Sequence, residues 1–432
     1  MQRYDVAIAG GGIIGLTIAY ELCMKGFKVA ILDGNDARMA SSYGNAGYIS
    51  PSLGPLSMNI REVEDTARYF ANKASTAASH DYSKGFMIIK SSIDRINDPM
   101  MMMIRMLIRT MALESKDWYA RMSSKLGFVY KHSGLLEVYL TRKDLEHRLE
   151  QVKHLASILN IPYKVLARDE VHTLEPALNE VCEGALFYPD DAFVNPRSVM
   201  KVLRDTLTAF GAVFLGNLER IEYDGVATTA AATTAVVVAN DSSSNNNKMR
   251  VRSFKTANAS VHASTYIVCT GAYRVDGIDL PVVPARGYML ELRSKDKALS
   301  MKHTILCGEH RVAISLHEYL RITAIFELCS VGSAIVEENF AKLLEWSRKY
   351  IAFGDIAIVD RWTGYRPCTP DGLPIIGRVG GDYNNYNSNL IVASGHCRLG
   401  ITLAPTTARL VAELVEGRDH IPDALKPNRY GL

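Results

Sequence analysis

The sequence lacks the cysteine pattern of a small secreted domain or of a zinc site. It has seven cysteines, which is an odd number, and no two of them form a Cys-x-x-Cys pair. A disulfide framework and a zinc site are therefore not expected, and a reducing compartment is the favoured environment. The histidines likewise show no spacing typical of metal ligands. The cysteines are Cys23, Cys182, Cys269, Cys307, Cys329, Cys368 and Cys397.

The chain also has little excess charge and no sign of a secretory signal. Its net charge of +3 is too small to favour nucleic acid as a partner. The N-terminus runs straight into an apolar strand and lacks a basic start and a cleavage site, so a cytoplasmic location is expected.

No apolar run is long enough to cross a membrane. The most apolar stretch, PMMMMIRMLIRTM at residues 99–111, is short and is interrupted by Arg105 and Arg109. An amphipathic core helix is the favoured interpretation. A surface that touches a membrane or a partner is the alternative.

The composition is that of a large globular protein. The chain has 432 residues, of which 48% are hydrophobic and 22% charged, and this suffices for a large core and two domains. Residues 224–250 differ from the rest, because a Thr/Ala run is followed there by a Ser/Asn run that cannot form much core. This stretch is predicted to be an elongated hairpin tip between two strands. A partner-binding role is the alternative.

Residues 4–33 predict a strand, a helix and a second strand. Gly10, Gly12 and Gly15 form Gly-x-Gly-x-x-Gly between the first strand and the helix, and Asp33 ends the second strand. Such glycines permit a tight turn, close approach of a pyrophosphate, and close packing of helix on strand. The helix N-terminus attracts the phosphates through its free N–H groups and its dipole. The unit therefore predicts a dinucleotide site. Asp33 disfavours a 2′-phosphate, so NAD and FAD remain.

A second notable stretch, WTGYRPCTPDGLPIIG, covers residues 362–377. Arg366 stands there directly before Pro367, and a residue in that position is held in an extended conformation. The sequence thus predicts an arginine on stiff backbone.

Several separate segments together resemble one family, the FAD-dependent amino-acid oxidoreductases related to D-amino-acid oxidase and glycine oxidase. The resemblance is closest to the branch of the D-amino-acid dehydrogenase small subunit and the dye-linked proline dehydrogenases. The segments span nearly the whole chain in the order of the family. They are the N-terminal unit, SSYGNAGYISPS, VCTGAY, VVPARGYMLEL, WTGYRPCTPDGLPIIG, ASGHCRLGITLAPTTARLVAEL and the tail NRYGL.

The resemblance implies an α/β fold. A Rossmann-like FAD-binding domain is expected beside a discontinuous second α+β substrate domain, whose mixed or antiparallel sheet covers the flavin. The expected FAD-binding domain comprises 1–85, 180–285 and 355–432, with 224–250 as a low-complexity hairpin insert. The expected substrate-binding domain comprises 86–179 and 286–354.

The resemblance also implies which residues bind FAD. The pyrophosphate is expected on the glycine turn and the ribose on Asp33. The C-terminal helix is expected to point its N-terminus at the pyrimidine edge of the flavin, which is anionic when reduced. The implied cofactor-binding residues are Gly10, Gly12, Ile13, Ile14, Gly15, Asp33, Ser41, Ser42, Asn45, Ala46, Gly47, Thr270, Gly271, Gly395, His396, Leu399 and Gly400.

The family holds its substrate carboxylate with the arginine of a Gly-x-Arg-Pro motif, which is Arg366 here. A guanidinium donates two parallel hydrogen bonds to a carboxylate, and hydride transfer requires the α-carbon close to flavin N5. Arg366 is the predicted anchor, with a structural arginine between two loops as the alternative. Tyr288 and Tyr48 are the other candidate catalytic residues, predicted to line the substrate pocket, whereas Tyr365 is predicted to pack.

His396 has two predicted roles. The resemblance favours contact with the cofactor, and a general acid or base is the alternative. Hydride transfer from a neutral amine needs no dedicated side-chain base. Non-covalent FAD is expected, because SSYGNAG at 41–47 lacks the early histidine of the sarcosine-oxidase relatives.

The expected activity is that of an FAD-dependent amino-acid dehydrogenase. It would oxidise the Cα–N bond of a small amino acid, either a D-amino acid or a proline-type imino acid, and pass electrons to a quinone or dye-like acceptor. The alternatives are an L-proline or hydroxyproline dehydrogenase, an oxygen-using glycine, sarcosine or D-amino-acid oxidase, and, least favoured, a non-catalytic FAD subunit. A partner subunit and peripheral contact with the cytoplasmic face of a membrane are left open.

Overall fold

A computed structural model describes most of the chain as three sheets with helices packed around them. Of the predicted insert 224–250, residues 225–249 lie outside the described residues, as do 57–85 of the first predicted segment. The described residues are 3–34, 36–56, 99–224, 250–295, 301–308, 312–316, 319–379 and 388–432.

The first sheet is parallel at its centre. The strand Arg3–Ala9 lies between two parallel neighbours, Val29–Leu32 and Ser260–Val268. Its residues 6–9 are consecutive apolar residues with no exposed surface, as is typical of a strand covered on both faces. The sheet comprises Arg3–Ala9, Val29–Leu32, Val213–Leu215, Arg220–Tyr223, Val251–Lys255, Ser260–Val268, Ile375–Arg378 and Leu390–Ser394.

The second sheet is mixed and mostly antiparallel. Its two longest strands, Val283–Ser294 and Ile356–Cys368, pair along almost their whole length. The sheet comprises Leu135–Tyr139, Lys164–Ala167, Gly184–Tyr188, Val283–Ser294, Thr304–Cys307, Ala313–Leu316, Leu320–Leu328 and Ile356–Cys368. A third, small sheet comprises Tyr48–Ile49, Tyr130–Lys131 and Ala192–Val194.

Helices cover one face of the first sheet. The last of them brings the C-terminal part of the chain next to the helix that follows the N-terminal glycines. The C-terminal helix Gly400–Val415 packs against both Ile13–Met24 and Pro99–Leu126. Within the described ranges, no helix has the length and apolar character needed to cross a membrane. The helices in the described part of the chain are Ile13–Met24, Leu53–Leu56, Pro99–Leu126, Arg142–Ile158, Arg168–Leu174, Pro196–Ala209, Glu338–Arg348 and Gly400–Val415, with short 3-10 turns at Ala37–Met39, Asp423–Leu425 and Pro427–Tyr430.

The helix predicted at the methionine-rich stretch is present, as part of Pro99–Leu126. The two arginines of the methionine-rich stretch are buried and bind polar groups of other segments. Arg105 donates to the carbonyl of Pro55, and Arg109 pairs with Asp190 at 3.1 Å. The charges that interrupt the apolar run are therefore internal anchors of the helix.

The domain boundaries stay a prediction, but two strands assigned to the FAD-binding domain pair with strands of the other predicted domain. The strands Gly184–Tyr188 and Ile356–Cys368 lie in the second sheet, although the predicted segments place them in the FAD-binding domain. The reason is visible in the pairing, since each is hydrogen-bonded to a strand of the segment expected to bind substrate. The helix Pro99–Leu126, placed with the substrate domain, packs on the C-terminal helix.

A buried ion network joins the second sheet to the loop at residues 43–45. Arg321 is 1% exposed and donates to Glu291 at 2.7 Å and to the carbonyl of Asn45 at 2.8 Å. Arg197 binds the other oxygen of Glu291 at 3.0 Å and stacks on the ring of Tyr43. Glu291 therefore compensates two arginines in a place with little water, where removal of one partner is costly.

Replacement of this carboxylate should destabilise the fold. In Glu291→Gln the guanidinium of Arg321 loses the carboxylate it binds, whereas Arg197 keeps its pair with Asp360 at 2.9 Å. We expect the free energy of unfolding to fall by about 3 kcal/mol. Urea unfolding followed by circular dichroism measures the change. The control is Glu146→Gln, whose exposed pair with Arg142 should contribute less than about 0.5 kcal/mol. Equal effects of the two substitutions would contradict a stabilising role for the network.

Candidate active site

The turn at residues 10–15 has two positions, Gly10 and Gly15, where only glycine fits. Gly10 has φ +107°, and a Cβ there would collide with the carbonyl of Cys269 at the end of the neighbouring strand. A Cβ on Gly15 would collide with the carbonyl of Gly10. The first helix is therefore pressed against the end of the first strand, as the spacing of the glycines predicts.

The N-terminus of this helix is open on its outer side. The N-cap residue Gly12 supplies no side-chain cap, and among the described residues a Cβ built on it would come closest to Ala40 and Ser42, at 3.8 and 3.9 Å. Ser42 accepts a hydrogen bond from the backbone N–H of Ile13 at 3.3 Å. The open N–H groups form a site suited to an anion.

Asp33 ends the second strand where the sequence predicts it, next to the glycine turn. A Cβ added to Gly11 would reach the Asp33 carboxylate, which shows how closely the two segments approach. Arg204 donates to that carboxylate at 3.1 Å.

A cavity of about 330 Å³ lies where the loop at 41–54, the second sheet and the turn at 395–402 meet. It brings together nine of the predicted site residues, although the glycine turn and Asp33 do not line it. Ser42 connects the two places, because it lines the cavity and also binds the first helix. The nine residues are Arg366, Tyr48, Ser41, Ser42, Asn45, Ala46, His396, Leu399 and Gly400.

Apart from the glycine turn and Asp33, four predicted cofactor residues do not line the cavity. They lie in turns and at strand ends around it. Gly47 and Gly395 both have positive φ, +86° and +77°, which glycine adopts readily. Thr270 donates to the carbonyl of Tyr273 at 3.0 Å, and Ser394 donates to that of Gly271 at 3.2 Å.

Arg366 lies in the cavity wall and is held from several sides. Its Nη1 donates to the carbonyl of Ile325 at 3.0 Å, and its guanidinium lies over Gly287, where a Cβ would be 2.5 Å from both Nη atoms. Ile325 has φ +69°, which is unfavourable for a β-branched residue, and turns its carbonyl toward Arg366 at an irregularity of the sheet.

The charge of the cavity wall is positive. Arg366 and Arg398 line it, and no aspartate, glutamate or lysine does so among the described residues. Apolar side chains make up much of the rest, including Leu306, Phe326 and Trp362. The wall is therefore suited to a small ligand with an anionic group.

Tyr288 does not reach the cavity, so its predicted place in the substrate pocket is corrected. It is fully buried in the core of the second sheet, and its hydroxyl donates to Glu327 at 2.7 Å. Successive side chains of a strand point to opposite faces, and the preceding residue, Gly287, faces the cavity. Tyr365 lies on the same face as Tyr288, and its hydroxyl accepts from the N–H of Gly332.

Tyr48 lines the cavity, but its hydroxyl is directed into the second sheet. It lies 2.5 Å from the carbonyl of Ile305 and 3.2 Å from that of Ile314. Burial raises the pKa of this phenol well above its usual range. Tyr48 can contribute its ring to the pocket wall, while its proton is committed to backbone carbonyls.

His396 is buried and neutral. Burial lowers the pKa of its imidazole to about 3, and Nε2 lies 3.0 Å from the hydroxyl of Thr407. An imidazole that stays unprotonated at neutral pH is poorly suited to act as a general acid. This environment favours the predicted contact with the cofactor over acid/base chemistry.

Comparisons with known proteins agree with this architecture. The sequence profile of the family described as FAD dependent oxidoreductase matches residues 5–414. The chain belongs to this family. The D-amino acid dehydrogenase of Methylobacterium radiotolerans is 28% identical, covering 98% of this chain and 99% of that protein. The D-amino acid dehydrogenase of Helicobacter pylori is 25% identical, covering 96% of this chain and 95% of that protein.

A solved structure shares the fold. The glycine oxidase of Geobacillus kaustophilus superposes with a TM-score of 0.70 at 21% identity, over 98% of this chain and 97% of its own. The predicted α/β class, with a Rossmann-like domain and a second domain built on a mixed sheet, is thereby confirmed.

This FAD-dependent oxidoreductase has residues that fit its cofactor. The open helix N-terminus at Gly12 offers free N–H groups to a pyrophosphate, and Asp33 stands where a ribose hydroxyl would donate. A second helix, Gly400–Val415, begins in the cavity wall, which its residues Gly400, Ile401 and Thr402 line. The prediction of FAD rather than NAD is confirmed by the family.

Three residues of the oxidoreductase site escaped sequence reasoning. Cys368 and Cys397 form a disulfide in the cavity wall, although the scattered cysteines predicted no disulfide framework. They are 29 residues apart and meet only through the fold. Arg398 lies in the same turn as His396, which the sequence did single out. Its positive charge in that turn was the signal that could have identified it as a site residue.

The glycine turn should be essential for FAD binding. In Gly15→Ala the new methyl group would collide with the carbonyl of Gly10 and push the helix away from the strand, so we expect loss of bound FAD on purification. Absorbance at 450 nm per protein measures the FAD content. Gly216→Ala is the control, because a Cβ there meets no atom of the described part of the chain within 4 Å. A fully loaded Gly15→Ala protein would contradict the assignment of the turn.

Burial of His396 should make the fold sensitive to acid. The pKa of this residue lies below its ordinary value of 6.5 in the folded state, so below pH 6.5 the unfolded chain binds a proton that the folded chain does not. The free energy of unfolding is therefore unaffected by this histidine above pH 6.5 and falls as the pH falls toward 3. The loss amounts to about 1.4 kcal/mol per pH unit. Urea unfolding from pH 7.5 to 5 should therefore show a shallower pH dependence in His396→Gln. The exposed His154→Gln serves as control, and equal slopes for His396→Gln and the native protein would refute the effect.

Proposed function

We propose that this oxidoreductase is an amino-acid dehydrogenase. It oxidises the Cα–N bond of a small amino acid, either a D-amino acid or a proline-type imino acid, by hydride transfer to flavin N5. The observation that carries the proposal is the fixed guanidinium of Arg366 in a cavity whose described wall has no acidic side chain. The names of the two bacterial relatives support the choice of amino acid as substrate class.

Arg366 performs the positioning. The carboxylate of the substrate binds the two Nη atoms, which lie side by side over Gly287. The absence of a side chain on Gly287 leaves room for the guanidinium to lie flat, and the carbonyl of Ile325 fixes its rotation. An anchored carboxylate leaves the α-carbon few orientations, and this is what hydride transfer requires.

The oxidation requires few other groups from the chain. FAD, when bound, supplies the acceptor for the hydride. The substrate nitrogen loses a proton, and the resulting imine is hydrolysed by water to an oxo acid, or stays a cyclic imine when the substrate is proline-like. A neutral amine needs no side-chain base, in keeping with the neutral state of His396. The apolar wall at Leu306 and Phe326 limits the water that reaches the reacting bond.

Several finer points belong to the same proposal. We propose a quinone or dye-like molecule as electron acceptor, non-covalent FAD, and a cytoplasmic location. Contact with a membrane surface and a partner subunit would allow the protein to deliver electrons to a quinone. An L-proline or hydroxyproline dehydrogenase and an oxygen-using glycine, sarcosine or D-amino-acid oxidase are the competing activities. A non-catalytic FAD subunit is disfavoured, because it would have no use for the anchored Arg366.

The test is anaerobic mixing of the FAD-loaded protein with D-alanine, D-proline, L-proline, L-hydroxyproline, glycine and sarcosine in turn. We expect one or two of them to bleach the flavin absorbance within seconds. Admission of air then separates an oxidase, which recovers its colour at once, from a dehydrogenase, which recovers only with an added dye or quinone. No bleaching by any amino or imino acid would contradict the proposal.

The role of Arg366 has its own variant. Arg366→Ala should keep FAD and reduce the rate of bleaching about a thousandfold, since two charge-assisted hydrogen bonds to the carboxylate are lost. Stopped-flow absorbance measures this rate. Arg361→Ala is the matched control, on the same strand but outside the cavity wall and paired with Glu337. Native rates in Arg366→Ala would show that the carboxylate binds elsewhere.

A further inference from the structure

The disulfide Cys368–Cys397 lies in the wall of the candidate active site and has no part in the proposed oxidation. Cys368 ends the strand that carries Arg366, two residues further along. Cys397 lies in the turn that leads into the C-terminal helix, beside His396. Both cysteines line the cavity, so the disulfide stands beside any ligand or cofactor that the cavity holds.

The backbone already joins these two segments without the disulfide. The N–H of Cys397 donates to the carbonyl of Pro367 at 2.8 Å, and Cys368 and His396 form an isolated antiparallel bridge. Cys397 also has φ +45°, a conformation for which glycine is the usual residue. A cysteine is therefore kept at a position that disfavours it, where a covalent link adds little to the existing hydrogen bonds.

The surroundings of the pair favour its reduction. Cys397 precedes the N-terminus of the C-terminal helix, and Arg366 and Arg398 line the same cavity. Positive charge and a helix N-terminus stabilise a thiolate, and a thiolate that is stabilised makes the dithiol form easier to reach. Among the described lining residues there is no carboxylate to oppose this effect.

We propose that Cys368 and Cys397 are a second redox centre of this oxidoreductase, which accepts an electron pair from reduced FAD. The S–S bond breaks and two S–H bonds form. The two electrons and two protons come from the reduced cofactor, which returns to its oxidised form. The pair would thus hold electrons between the amino-acid substrate and the final acceptor. This inference rests on bound FAD and not on which substrate reduces it.

The test counts electrons and thiols in the FAD-loaded protein under anaerobic conditions. Dithionite is added stepwise while flavin absorbance is recorded, and samples are denatured and alkylated to count free thiols. We expect full bleaching to require twice the electrons that the flavin alone takes. The thiol count should rise from the five free cysteines to all seven.

Two variants isolate the pair. Cys397→Gly suits the positive φ of this position and removes the disulfide, so its flavin should bleach with half the dithionite and its thiol count should not change on reduction. Cys368→Ser should behave in the same way, which keeps the test valid if one variant folds poorly. Cys23→Ser, at the far end of the first helix and outside the cavity wall, should take up electrons like the native protein.

Two results would overturn the proposal. In the first, the native protein bleaches with the electrons of the flavin alone and still shows five thiols. In the second, protein depleted of FAD loses its disulfide to dithionite as fast as the loaded protein does, so that no electrons pass through the cofactor. Failure of every amino acid to bleach the flavin would contradict the proposed function and leave this electron count unaffected.

Discussion

The register between the strands Val283–Ser294 and Ile356–Cys368 determines which side chains of this sheet line the cavity. Ala285 pairs with Arg366 and Gly287 with Gly364, so that the guanidinium lies across a surface without bulky side chains. Because side chains alternate along a strand, a slip of one residue would turn Arg366 into the core and bring its neighbours to the cavity. The long pairing and the core on the opposite face oppose such a slip. The position of Arg366 in the cavity wall is thus a property of the whole sheet.

The second determinant is the return of the C-terminal chain to the N-terminal glycine turn. The helices Ile13–Met24 and Gly400–Val415 pack together, and each begins near the place where a negative part of the cofactor is expected. The loop at 41–48 fills the space between them and is tied to the second sheet by the buried pair of Arg321 and Glu291. The glycine turn, the loop at 41–48 and the second sheet are therefore held together by buried polar contacts.

The sequence alone predicted the parts of the site that depend on local geometry. The glycine spacing at 10–15 and the turn at 395–400 are constraints of neighbouring residues, and both appear in the structure as predicted. Tyr288 was placed wrongly because its face depends on strand register, which no local pattern specifies. The bond between Cys368 and Cys397 was missed because it joins two turns that only the complete fold brings together.

The proposed oxidation depends on one contact, between the substrate carboxylate and Arg366. A crystal structure of the FAD-loaded protein with D-lactate or L-lactate, hydroxy analogues of a small amino acid, examines it directly. The account predicts two hydrogen bonds from the Nη atoms to the carboxylate, with the α-carbon above the flavin ring. A carboxylate bound away from Arg366, with its guanidinium still on the carbonyl of Ile325, would contradict the central claim.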